Sequence, residues 1–82
     1  MKDATDIETE KLLADTLMSE GYGGLSTENL DEALHYFEQA LPIYQKIGFQ
    51  EGIIRALNGI ALCFEEEFEK AQGYYVRALE IA

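Results

Sequence analysis

The chain has 82 residues, 16 acids against six Lys and Arg for a formal net charge of −10, and a single cysteine. That length suffices for one small domain that buries roughly 60–65% of the surface an unfolded chain exposes, so help from self-association or a partner is expected. Cys63 alone excludes an intrachain disulfide, no signal-like segment is evident, and no apolar run approaches the ~18 residues of a membrane span. A soluble, cytoplasmic protein is the expectation.

The charge is uneven: residues 1–41 carry a net −8 and residues 42–82 a net −2. Such a field repels phosphate backbones and anionic lipid, which argues against nucleic-acid and membrane partners and favours a basic or neutral protein or peptide.

Outside residues 21–29 the composition favours helix almost everywhere, so the fold class is all-α. A first helix is predicted from Thr5 or Asp6, with Thr5 and Glu8 as a capping box, through Leu12, Leu13, Ala14, Leu17 and Met18. Gly21 is expected to end it, and GYGGLSTEN, residues 21–29, reads as a loop. A second helix starts at Asn29, with Glu32 completing a capping box, and carries Ala33, Phe37, Ala40, Tyr44 and Ile47 on one face. Pro42 inside it predicts a kink near 38–41. Gly48 should close it, with Phe49 placed for the apolar contact of a Schellman cap.

From Gln50 onward the apolar phase does not slip. Leu57, Ala61, Phe64, Phe68, Ala71, Tyr75 and Ala78 follow in steps of four and three, straight through FEEEFEKA at 64–71. No residue there is a turn former. One reading is a continuous helix from about Glu51 to Ala82, whose apolar face over 68–82 would need a second chain and so favours an exchanged homodimer. The other is a tight helical hairpin.

Two segments, LDEALHYFEQAL at 30–41 and FEKAQGYYVRAL at 68–79, match at an offset of 38 residues. Both place an apolar residue, then Ala, an aromatic, and Ala-Leu at the same spacings. In this the chain resembles the tetratricopeptide repeat family. RALNGIALCF also fits, with Leu57, Ile60, Ala61 and Phe64 at the first-helix positions, and QKIGFQEGIIRAL looks like the link of the longer-repeat variant. The resemblance is close over 30–82 and loose over 5–29. It implies paired antiparallel helices, with a first repeat over 5–47 and a second over 50–82 in one domain. Relative to the family pattern, the link between the helices of the second repeat is short by two residues, with only Glu65, Glu66 and Glu67 between the flanking aromatics. The family's binding groove is lined by the first helix of each pair, which points to Arg55, Asn58 and Leu62 as protein-binding contacts.

No catalytic constellation can be assembled from one His and one Cys, and no cofactor is expected. Glu32 and His35 form an E-x-x-H pair, so a metal-binding bundle is a minor alternative, but a single copy supplies too few ligands. Glu65, Glu66, Glu67 and Glu69 fan around a helix rather than converge on a cation. The expected function is therefore a noncatalytic protein-interaction module that self-associates through the 57–78 seam, or else a monomeric repeat fragment that docks onto a larger assembly.

Overall fold

Helix propensity and apolar spacing resolve into four helices in the computed structural model, which describes residues 4–81 and the side chains of 6–81. They are α1 (Ala4–Ser26), α2 (Leu30–Ile47), α3 (Gln50–Cys63) and α4 (Phe68–Ile81). The described residues contain no strand. The capping box expected at Thr5 falls outside the described side chains.

The predicted loop at 21–29 is instead the last part of α1, which continues through GYGG to Ser26. Packing explains the correction. A Cβ on Gly21 would sit 2.5 Å from the Phe37 ring, and one on Gly24 would sit 3.0 Å from the Ala33 backbone. Glycine here lets α2 approach α1, and the interface offsets the ~1 kcal/mol by which each Gly weakens a helix relative to Ala. Only 27–29 are left to reverse the chain. Glu28 does so at φ 61°, with the Asn29 amide donating to Gly24 (2.8 Å) and the Glu28 amide to Leu25 (3.1 Å). This is a Schellman cap with Glu in the left-handed position that glycine usually takes.

The start of α2 is as the sequence predicts. The Asn29 side chain accepts from the Glu32 amide (3.3 Å), and its own amide group donates to the Glu32 carboxylate (2.7 Å). Ala33, Phe37, Ala40 and Tyr44 are buried, and the helix runs on past Pro42. Gly48 stands at φ 71° with its amide donating to Gln45, the Phe49 amide donates to Tyr44, and the Phe49 and Tyr44 rings lie 5.8 Å apart. The predicted Schellman cap is therefore complete, including its apolar contact.

α3 has two working faces. Gly52 and Gly59 lie against the Tyr44 and Phe37 rings of α2, and Ala56 and Ile60 belong to the same core as Ala14, Met18 and Phe37. About half a turn around the helix, Leu57 and Ala61 are buried outside that core, as are Ala71 and Ala78 of α4. Phe37 is thus held between glycines of two different helices.

Of the two readings of FEEEFEKA, the chain takes the tight hairpin, and the continuous helix with the exchanged dimer built on it is corrected to a turn. α3 ends at Cys63, the Glu67 amide donates to the Phe64 carbonyl (2.9 Å), and the Ala71 amide donates to Glu67 (3.0 Å) as α4 begins. None of the residues in this turn has positive φ, so no glycine is required. What outweighs glutamate's helix propensity is packing: Phe64 stacks on Tyr74, with centroids 5.8 Å apart and planes 5° from parallel. Lys70 lies over the Phe64 ring at 5.4 Å and Arg77 over Tyr74 at 5.6 Å. Glu69, in the first turn of α4, lies where carboxylates favour a helix N-terminus.

Each helix packs antiparallel on the next, α1 also touches α3, and α4 contacts α3 alone among the described residues. The result is a slab 42 × 28 × 14 Å. It has an open helix at one end.

Candidate protein-interaction site

α1 and α3, the first helices of the two hairpins, border a cleft of about 310 Å³. Lys11, Asp15, Ser19 and Tyr22 come from α1, Tyr44 from α2, and Glu51 and Arg55 from α3, with Phe49 at its start. Periodicity puts these side chains together: 11, 15, 19 and 22 recur at four and three residues along α1, as 51, 55, 58 and 62 do along α3.

The charges in this cleft are paired. Lys11 meets Asp15 at 3.0 Å and also lies 4.8 Å above the Phe49 ring, while Arg55 meets Glu51 at 2.6 Å. Tyr44 donates its hydroxyl to the other oxygen of Asp15 in a short bond that ties α2 to α1. Burial opposes ionisation of Asp15, but the bonds from Tyr44 and Lys11 and the Lys11 charge outweigh it and lower its pKa. Burial and the Asp15 carboxylate push the Tyr44 phenol well above its ordinary value. Within a strongly acidic chain this cleft is locally balanced. Its exposed Tyr22 and Arg55 and half-buried Lys11 can hydrogen-bond, stack and pair with charge, which are binding functions.

A second cleft of about 550 Å³ lies farther along, lined by Leu25, Glu28, Leu30, Leu62 and Glu65. Of the three predicted contact residues, Arg55 borders the first cleft and Leu62 the second, and half-buried Asn58 stands one turn from each on the same face of α3. The sequence does not mark Lys11, Asp15, Tyr22 and Tyr44 as contacts. Asp15 and Tyr44 are 29 residues apart with no motif linking them, so only the fold of α2 onto α1 brings them together.

The seam divides. Leu57, Ala61, Ala71 and Ala78 are buried within the chain, and Phe64 is half-buried on Tyr74. Phe68 and Tyr75 remain 73% and 40% exposed, joined by Val76 at 44% and Leu79 at 74%. Glu32 is engaged in the α2 cap and His35 is exposed beside Tyr36. Among the described residues no group of three His, Cys, Asp or Glu is placed to hold a metal ion. Cys63 is half-buried, and burial, with help from Glu38, raises its thiol pKa.

No curated protein and no solved structure matches the chain. A family model does, over residues 12–82, taking in most of α1 and all of the later helices. Two antiparallel helical hairpins, the 38-residue offset and that match together place the chain in the tetratricopeptide repeat family.

Proposed function

We propose that this chain is a noncatalytic interaction module that takes a polypeptide segment along the α1–α3 face and self-associates through α4. Membership of the tetratricopeptide repeat family supports a protein-interaction role. The observation that carries the finer reading is that Arg55 and Leu62, two turns apart on α3, each border an open cleft, with Asn58 between them. An extended segment crossing α3 meets a charge, an amide and an apolar contact in succession, the mixture that selects a partner in recognition grooves. The net charge of −10 favours a basic or neutral segment and disfavours nucleic acid and anionic lipid. Among the described residues no helix is long and apolar enough to cross a membrane.

Selection of displayed random peptides tests the groove. The wild-type chain should enrich a sequence class that Arg55→Glu and Leu62→Asp variants, folded by circular dichroism, no longer enrich. Identical selections by all three proteins would remove the groove assignment.

A further inference from the structure

The open helix at the end of the slab carries an ordered surface. Phe68, Tyr75 and Leu79 lie within a narrow stripe along α4, at i, i+7 and i+11, and are 73%, 40% and 74% exposed. Moved back by the 38-residue offset, they fall on Leu30, Phe37 and Leu41 of α2. There Leu30 is 40% exposed, but Phe37 is fully buried with Gly59 of α3 against its ring, and Leu41 packs against the core to which Ala56 of α3 belongs. α4 presents the same stripe without the covering helix.

In α3 the row of Gly52, Ala56 and Gly59 lies about half a turn around from the face buried on α4. A row of the same spacing lies uncovered on α1. In α1, about half a turn around from Ala14, Met18 and Gly21, which are buried on α2, lie Leu12, Thr16, Ser19 and Gly23. Their spacing of four, three and four is that of Gly52, Ala56, Gly59 and Cys63. All four are exposed, and a Cβ on Gly23 would meet nothing within 4 Å. The Thr16 hydroxyl already donates to the Leu12 carbonyl at 2.9 Å, so covering it leaves no unpaired donor.

From this reciprocity, and resting on the self-association reading above, we infer that two copies stack head to tail. The α4 stripe of one docks on the Leu12–Thr16–Gly23 row of the next, repeating between molecules the packing of α2 on α3 within one. A heterologous contact of this kind leaves one stripe and one row free at the ends of any stack that does not close into a ring, so growth does not stop at a dimer. The stripe exposes on the order of 400 Å² of apolar side chain. With a matching row, that gives an interface smaller than the ~1,200 Å² of stable complexes, so association is weak and reversible. Residues 68–81 carry Glu69 and Glu80 against Lys70 and Arg77 and are neutral, while whole copies of charge −10 repel. Added salt therefore strengthens the stacking.

The test uses two matched charge changes on exposed helix positions, Leu79→Arg on the stripe and Thr16→Arg on the row. Sedimentation or light scattering of the wild-type chain should show a mass that rises with concentration beyond the dimer, and more steeply at high salt. Each variant alone, still helical by circular dichroism, should stay monomeric at concentrations where wild type associates. Their equimolar mixture should form a one-to-one dimer and stop there, because each retains the surface the other lacks. A Thr16→Arg chain that still dimerises while Leu79→Arg does not would overturn head-to-tail stacking in favour of a twofold α4–α4 contact, leaving self-association intact. A wild-type chain that is monomeric at all concentrations and salts would overturn both, and a mixture that associates no more than the variants alone would overturn head-to-tail stacking.

Discussion

Two helical glycines separate close approach from mere permissiveness, and alanine substitution measures the difference. Gly21 and Gly73 are both inside helices, so replacing either by Ala gains about 0.5–1 kcal/mol of intrinsic helix stability. At Gly73 the new Cβ meets nothing within 4 Å, and the full gain should appear. At Gly21 it would lie 2.5, 2.7 and 2.9 Å from three carbons of the Phe37 ring, against a carbon–carbon optimum of about 3.5–4.0 Å. The ring cannot swing away, because it is fully buried and Gly59 of α3 also sits against it. Overpacking of this kind costs about 1–3 kcal/mol, so the two variants should differ by about 2 kcal/mol, Gly73→Ala above wild type and Gly21→Ala below it. With a urea slope of about 1 kcal/mol/M for a chain this small, their midpoints separate by about 2 M at fixed protein concentration. Adding Phe37→Leu should shrink the Gly21→Ala penalty by more than ~0.5 kcal/mol, a coupling absent for Gly73→Ala. Equal stabilisation by both alanines would refute the account of why α1 runs through its glycines.

Three further perturbations read other parts of the fold. Glu28→Gly relieves the left-handed backbone at φ 61° and should stabilise the chain by about 0.5–1 kcal/mol, measured by the same urea midpoints. Tyr44→Phe removes the bond to Asp15 and should cost about 1 kcal/mol at neutral pH. It should also flatten the pH profile at both ends: Asp15, lowered in the fold, contributes stability above its ordinary 3.8 that is lost as acid reaches its lowered value, and Tyr44, raised in the fold, contributes stability below 10.0 that is lost as base approaches its raised value. Phe64→Ala removes the stack on Tyr74 and the Lys70 contact at a half-buried site, for a loss of about 2 kcal/mol. Hydrogen exchange should then quicken over 68–81 and stay slow around Phe37.

The sequence carries the helical class, the α2 stripe, both of its caps and the repeat, because each rests on spacing or on one residue's chemistry at one place. Asn29, Glu32, Gly48 and Phe49 act within a few residues of one another, and such local signals are readable. The errors arose where tertiary contact outweighs propensity. GYGG reads as a loop because glycine's weakness in helices is local, whereas its value here is the approach of Phe37 and Ala33, residues from another helix. FEEEF reads as helix because Glu favours helix, whereas the turn is held by Phe64 on Tyr74 and by the burial of α4 on α3, and its backbone asks for no special residue. The cleft around Asp15 had no sequence signature at all. Its Tyr44 partner was legible only as a core aromatic.

The two hairpins share a pattern but differ in what they bury, and that difference bears on function. α2 places Phe37 and Tyr44 fully inside, each against a glycine of α3. At the position equivalent to Phe37, α4 has Tyr75, which is 40% exposed, and its buried residues are Ala71 and Ala78. A methyl group contributes about 0.8 kcal/mol on burial where a full aromatic contributes several times that, so α4 is held mainly by Tyr74 on Phe64 and by its partial contacts. An element with this little burial opens at low free energy. It is also the element with the uncovered stripe, so anything that covers Phe68, Tyr75 and Leu79 adds the burial α4 lacks. Ordering of α4 and occupation of its outer face are then thermodynamically linked, and in the proposed stack each added copy would stabilise the last helix of the copy before it.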